Sequence, residues 1–63
     1  MHKISLAAAR VNIRVNQKEL AKMMGVSDHT IFNWENGKTS PSGRQLRKLS
    51  EIFGLPIDML FLE

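Results

Sequence analysis

The chain contains no cysteine, which excludes a disulfide scaffold and removes thiolates as metal ligands or nucleophiles. Proline is nearly as scarce, with only Pro41 and Pro56, so a mostly helical chain is permitted. The four glycines, Gly25, Gly37, Gly43 and Gly54, stand apart as punctuation, which excludes a glycine-rich phosphate loop. Long apolar runs are missing too. The stretch IFGLPIDMLFL has 11 residues and contains Asp58, about half of what a membrane crossing needs. The opening MHKISLAAARVN is interrupted at Arg10 and Asn12, too soon for the apolar region of a signal peptide. There is no internal repeat and no low-complexity tract. A cytoplasmic protein with no membrane partner is therefore expected.

What is present is a small globular composition, 43% hydrophobic and 24% charged over 63 residues. That length supports one domain, 1–63, with a small core that buries only about 60% of the unfolded chain's surface. The overall charge of +3 is a weak pointer to an anionic partner. Its distribution is sharper. Residues 1–50 carry nine basic side chains and three acids, a net of +6, while residues 51–63 carry three acids and no base. One surface of the basic body is expected to meet a polyanion, and the acidic, apolar end to do something else.

The spacing of Leu6, Ala9, Arg10 and Ile13 predicts a first helix over residues 5–12, with the charged Arg10 on its apolar face. Asn16 followed three residues later by Glu19 is a capping-box pattern, so a second helix is expected over 17–24, closed by Gly25. Ser27 can cap a third helix over 28–35, with Val26, Ile31 and Trp34 inward and the turn signal Asn36-Gly37 after it. Two short helices separated by GVS have the spacing of a helix-turn-helix. Ser42 and Gln45 repeat the capping pattern before a fourth helix from about 43, which carries Leu46, Leu49, Ile52 and Phe53 inward and ends at Gly54. A fifth helix is expected over 56–61, with Pro56 in its first turn. The expected fold is all-α, compact and five-helical, with almost nothing left for a strand.

Enzyme chemistry finds no support in these residues. His2 sits near a terminus and His29 beside Asp28 on a short helix, and neither comes with the nucleophile, base and orienting acid that catalysis requires. One His/Asp pair gives two ligands where a closed zinc site needs four, so no metal, cofactor or small-molecule ligand is expected. The third helix is more informative. Its outward residues Asp28, His29, Thr30, Phe32 and Asn33, with Ser27 before them, concentrate short donors and acceptors at a helix N-terminus. That end is what a helix-turn-helix presents to base edges. Asn33 can pair with adenine N6/N7, His29 can donate to a purine N7, and Asp28 can accept only from cytosine N4. Thr30 or Phe32 can pack on a thymine methyl, and Phe32 can equally be part of the core. Asp28 also has a purely local role with the helix dipole. Asn16, Gln17, Asn36, Lys38, Thr39 and Arg44 form a rim suited to phosphates, which position a protein without reading sequence. Lys18, Lys22 and Lys48 read equally well as solvated charges. Arg10 and Glu35 are expected to form a partly buried bidentate ion pair.

The run NQKELAKMMGVSDHTIFNWENGKTSPS, continued by QLRKLSEIFGLPIDML, resembles the Cro/C1-type (XRE-like) helix-turn-helix family of phage repressors and bacterial regulators. The resemblance covers about residues 4–62 and rests on Q-x-E-L-A at 17–21, G-V-S at 25–27, I-x-x-W-E-N-G-K at 31–38, Pro41 and the leucine frame from Leu46 to Leu60. It implies a lambda-repressor-like fold and sequence-specific binding of double-stranded DNA by a homodimer at a pseudo-palindromic operator, as a transcriptional repressor or regulator. Gln17 matches a phosphate-holding glutamine, and Ser27, Asp28, His29 and Asn33 match base-facing positions. Asn36 and Lys38 match the turn that clasps the next phosphates, and Arg10 and Glu35 match an ion pair of the phage repressors. Asp28-His29 departs from the glutamine pair of the best-known phage members, so their operator preference does not carry over. Pro56 replaces a usual Ser or Thr cap. No ligand-binding or cleavable oligomerisation domain is expected. Ile57, Met59, Phe61 and Leu62 are more apolar than a short last helix can bury, which points to a dimer contact. Such a protein would be nucleoid-associated when bound to DNA. The rival reading is a protein-interaction module of antitoxin or adaptor type that keeps the fold without specific DNA binding.

Overall fold

A computed structural model describes residues 3–61, with Phe61 described by its backbone alone. In chain order it contains β1 (Ile4–Ser5), α1 (Leu6–Asn12), α2 (Gln17–Met24), α3 (Asp28–Glu35), α4 (Gly43–Phe53), a 3-10 turn (Ile57–Met59) and β2 (Leu60–Phe61). Each α-helix starts at a side-chain cap. Ser5 Oγ accepts from the Ala8 amide at 3.0 Å, and Ser27 Oγ from the Thr30 amide at 3.1 Å. Asn16 with Glu19, and Ser42 with Gln45, form complete capping boxes. Such caps matter here because helices of seven to eleven residues are marginal on their own.

The helices close on one core: Leu6, Ala9, Leu20, Ala21, Met24, Ile31, Trp34, Leu49, Phe53 and Leu60, with Ile4, Ile13, Val15, Val26, Ile52 and Leu55 packed around it. Leu20, Ile31 and Leu49 are wholly enclosed, and burying each contributes about 2 kcal/mol. Taken as whole residues, none of the polar or charged ones is fully buried among the described residues. Leu46, expected to face inward, is only half-buried and stands outside this cluster.

The fifth helix is not formed. Four α-helices are present, and the segment expected to be helical over 56–61 is instead a single 3-10 turn followed by extended backbone. Pro56 is extended (φ −60°, ψ 148°), and Leu60 leaves the turn at φ −85°, ψ 128°. Leu60 and Phe61 then pair in parallel with Ile4 and Ser5. The physical reason is long-range. The start of the chain offers unpaired strand groups, and the extended path sends Leu60 into the core while Ile57 stays outside. The ladder is only two residues per strand, in keeping with almost nothing being left for a strand, and the domain is all-α with four helices in place of five.

Candidate nucleic-acid interface

The α2–α3 unit is built around a three-residue link. Gly25 adopts the left-handed conformation (φ 72°), and its amide and that of Val26 return to the Lys22 and Ala21 carbonyls at 3.3 and 3.0 Å. This closing motif turns the chain sharply. Val26 drops onto the core, and Ser27 opens α3 two residues after the glycine. Ile31 and Trp34 anchor α3 against Leu20, Ala21 and Met24 of α2, and these two helices share the most extensive packing in the molecule.

With Ile31 and Trp34 inward, His29, Phe32 and Asn33 share the opposite side of α3 at i, i+3 and i+4. His29 and Phe32 are exposed and Asn33 is half-buried. The imidazole and phenyl rings stack with centroids 6.1 Å apart and planes 14° from parallel, and Lys38 Nζ lies 5.8 Å from the Phe32 ring centre. Phe32 therefore belongs to the exposed face and not to the core. Asp28 is exposed in the first turn. Ser27 and Thr30 are partly committed to each other, since their hydroxyls lie 2.9 Å apart.

Around this face, Asn36, Lys38, Thr39 and Arg44 are all exposed. Asn36 has a structural duty as well: its side-chain amide donates to the Phe32 carbonyl at 2.8 Å. Asn16 Oδ1 accepts from the Glu19 amide at 2.7 Å, so that oxygen is used by the α2 cap. Gln17 is held in a way the sequence did not reveal. Its Nε2 donates to Glu35 Oε1 at 2.9 Å.

That carboxylate is the centre of a network. Arg10 Nε donates to Glu35 Oε2 at 2.6 Å and Nη2 to Oε1 at 3.3 Å, a bidentate pair. Arg10 Nη1 reaches the Val15 carbonyl at 3.0 Å. The Glu35 side chain is 6% exposed and that of Arg10 15%, so three helices meet at one shielded charge. The missed signal is the coincidence of Gln17 at the first position of α2 with Glu35 at the last position of α3, which tight helix crossing brings together.

No pocket opens on the described surface, and no group of three or more His, Asp or Glu side chains converges there. Among the described residues no helix is long and apolar enough to cross a membrane. Ile57 is exposed and Met59 half-buried. The Phe61 side chain and Leu62, expected in a dimer contact, lie outside the described residues.

A capped helix pair with a glycine link, one helix anchored by Ile31 and Trp34 and bare on its far side, defines a helix-turn-helix domain of the regulator type. The helix-turn-helix family model HTH_3 matches residues 6–60. The chain belongs to that family, in its Cro/C1-type branch. It is 36% identical over 55 residues to Repressor protein C2 of Salmonella phage P22, a match covering 87% of this chain and 26% of the repressor. It is 40% identical over 48 residues to the HTH-type transcriptional regulator MJ0272 of Methanocaldococcus jannaschii, covering 76% of this chain and 73% of the regulator. To the cryptic phage CTXphi transcriptional repressor RstR of Vibrio cholerae it is 38% identical over 48 residues, covering 76% of this chain and 43% of RstR. The chain thus spans about a quarter of the first of these relatives. The relatives that match at this level are almost all named as transcriptional regulators or repressors. No solved structure matches the chain significantly.

Proposed function

We propose that this protein binds double-stranded DNA sequence-specifically and regulates transcription by occupying a pseudo-palindromic operator, with α3 in the major groove. The observation that carries the reading is the outward face of α3. His29, Phe32 and Asn33 are turned away from the core on a helix held rigidly by Ile31 and Trp34. In this reading Asn33 and His29 read base edges, with Asp28, Ser27 and Thr30 at the helix start. Asn16, Gln17, Asn36, Lys38, Thr39 and Arg44 meet phosphates, and the +6 net charge of residues 1–50 supplies the attraction. Glu35 fixes Gln17 at the start of α2, where free backbone amides also favour an anion.

The described residues measure 31 × 23 × 19 Å, and successive major grooves on one side of DNA lie about 34 Å apart. One copy therefore serves one half-site, and the working unit is a homodimer, with Ile57 and Met59 in the contact between copies. Selection from random duplexes, followed by binding measured against salt, tests this. Enrichment of a two-fold site with helical-turn spacing and a steep salt dependence is the expected result. Binding that is indifferent to salt and enriches no sequence defeats the reading. It would favour the adaptor alternative, in which the exposed Phe32 docks a protein.

A further inference from the structure

Phe32 is the least expected residue on the face assigned to DNA. It is 40% exposed, it has no hydrogen-bonding group, and it stands between His29 and Asn33, which do. Of the groups that DNA displays in the major groove, the only apolar one is the C5-methyl of a pyrimidine, carried by thymine. Cytosine acquires the same group on methylation. From the contacts around the ring we infer that Phe32 is a specificity residue which reads a pyrimidine C5-methyl, so that affinity depends on thymine or 5-methylcytosine at one position of each half-site. The inference rests on the reading of α3 as the base-reading helix.

Three contacts support it. The His29 imidazole packs against the phenyl ring with planes 14° from parallel and centroids 6.1 Å apart, which restricts the rotation of the phenyl group. Lys38 Nζ, 5.8 Å from the ring centre, orients the ring from the side of the turn after α3, where the next phosphate is placed. The Phe32 carbonyl is bound by the Asn36 amide at 2.8 Å, which fixes the backbone beneath the ring. A phenyl ring so held is a surface for a methyl group and offers nothing to a donor or acceptor. Thr30, the other candidate for a methyl contact, is half-buried and committed to Ser27.

The test uses the full chain and the duplex enriched by selection, with binding read by fluorescence anisotropy. Each thymine is replaced in turn by deoxyuridine, and each cytosine by 5-methylcytosine. One position per half-site should respond, weakening about fourfold when the methyl is removed or strengthening about fourfold when it is added. The two sets of duplexes separate the two sources of the methyl. The response should vanish in Phe32→Ala and in Phe32→Gln, with Thr30→Ala retaining it; circular dichroism confirms that each variant is folded. Selective binding of the enriched duplex with no methyl-sensitive position overturns this inference and leaves the DNA reading intact. A response that persists in both Phe32 variants overturns it too. A selection that enriches no sequence removes both.

Discussion

Arg10 and Glu35, 25 residues apart in sequence, meet as a bidentate ion pair with a shortest contact of 2.6 Å. The pair ties the last turn of α1 to the last residue of α3, and Gln17 brings the start of α2 to the same carboxylate. A carboxylate that is 6% exposed in a 63-residue domain would be costly alone. Three donor contacts converge on it and join the last turns of α1 and α3 to the start of α2.

Removing one partner should therefore cost more than removing both. Glu35→Ala leaves the Arg10 guanidinium shielded and unpaired, and is expected to destabilise by about 2–3 kcal/mol. The double variant Arg10→Met with Glu35→Leu should recover at least half of that loss. Urea midpoints of Arg10→Met, Glu35→Leu and their double variant form the cycle, with Glu35→Ala measured beside them. Strictly additive costs would show that the two side chains do not depend on each other.

Gln17 provides a sharper electrostatic probe. Gln17→Glu places a second carboxylate against Glu35, where the amide now donates at 2.9 Å. It should destabilise the fold by about 1 kcal/mol more than Gln17→Leu, which removes the hydrogen bond without adding charge. DNA affinity should fall for both, and more for Gln17→Glu. Equal stability of the two variants would mean that the Gln17–Glu35 contact is not maintained in solution.

The helix-turn-helix was legible because its determinants are local. Asn16 with Glu19, Ser27, Gly25 and the Asn36-Gly37 turn all act within four residues of where they stand, and α2 and α3 span the residues those signals delimit. The Arg10–Glu35 contact was readable from a charge on an apolar stripe that needed a partner. The end of the chain was not readable in the same way. Pro56 and the apolar residues after it satisfy a helical pattern as well as an extended one. The choice is made by Ile4, which pairs with Leu60 from the far end of the sequence. Gln17 escaped for a similar reason, since its partner lies 18 residues away across a helix crossing.

That choice can be measured. Leu60 is buried in the core and Ile57 is 44% exposed. In the monomer, at protein concentrations too low for association, Leu60→Ala should destabilise by about 2–4 kcal/mol, and Ile57→Ala by about 0.5 kcal/mol or less. A helix through this segment would place both, three residues apart, on one face and make their costs alike. Thermal or urea denaturation of the two variants decides between the paths.

Arg14 is the one residue other than glycine with positive φ among the described residues, at 61°. It closes α1 as Gly25 closes α2: the amides of Arg14 and Val15 return to the Val11 and Arg10 carbonyls at 2.9 and 3.4 Å. Arg14→Gly should relieve left-handed strain while freeing the unfolded chain, for a net stabilisation between zero and about 1 kcal/mol. Gly25→Ala goes the other way. A Cβ there would meet nothing within 4 Å, so its expected cost of about 1 kcal/mol is backbone strain alone. A destabilised Arg14→Gly would mean that the arginine side chain makes contacts worth more than the strain.

Base reading and phosphate holding should separate in two variants only five residues apart. Asn33 lies on the outward side of α3, and its backbone carbonyl accepts the Lys38 amide at 2.9 Å, so the same turn positions both side chains. Asn33→Ala should weaken binding to the selected duplex by about 1–3 kcal/mol and leave bulk DNA binding unchanged. Lys38→Ala should weaken both equally and lower the slope of log affinity against log salt by about one. It should also loosen the Phe32 ring, which rests 5.8 Å from the ammonium. Titrations of both variants on specific and random duplexes at several salt concentrations give all four quantities. If Asn33→Ala weakens specific and bulk binding alike, α3 does not read bases through that amide, and the basic surface alone accounts for the affinity.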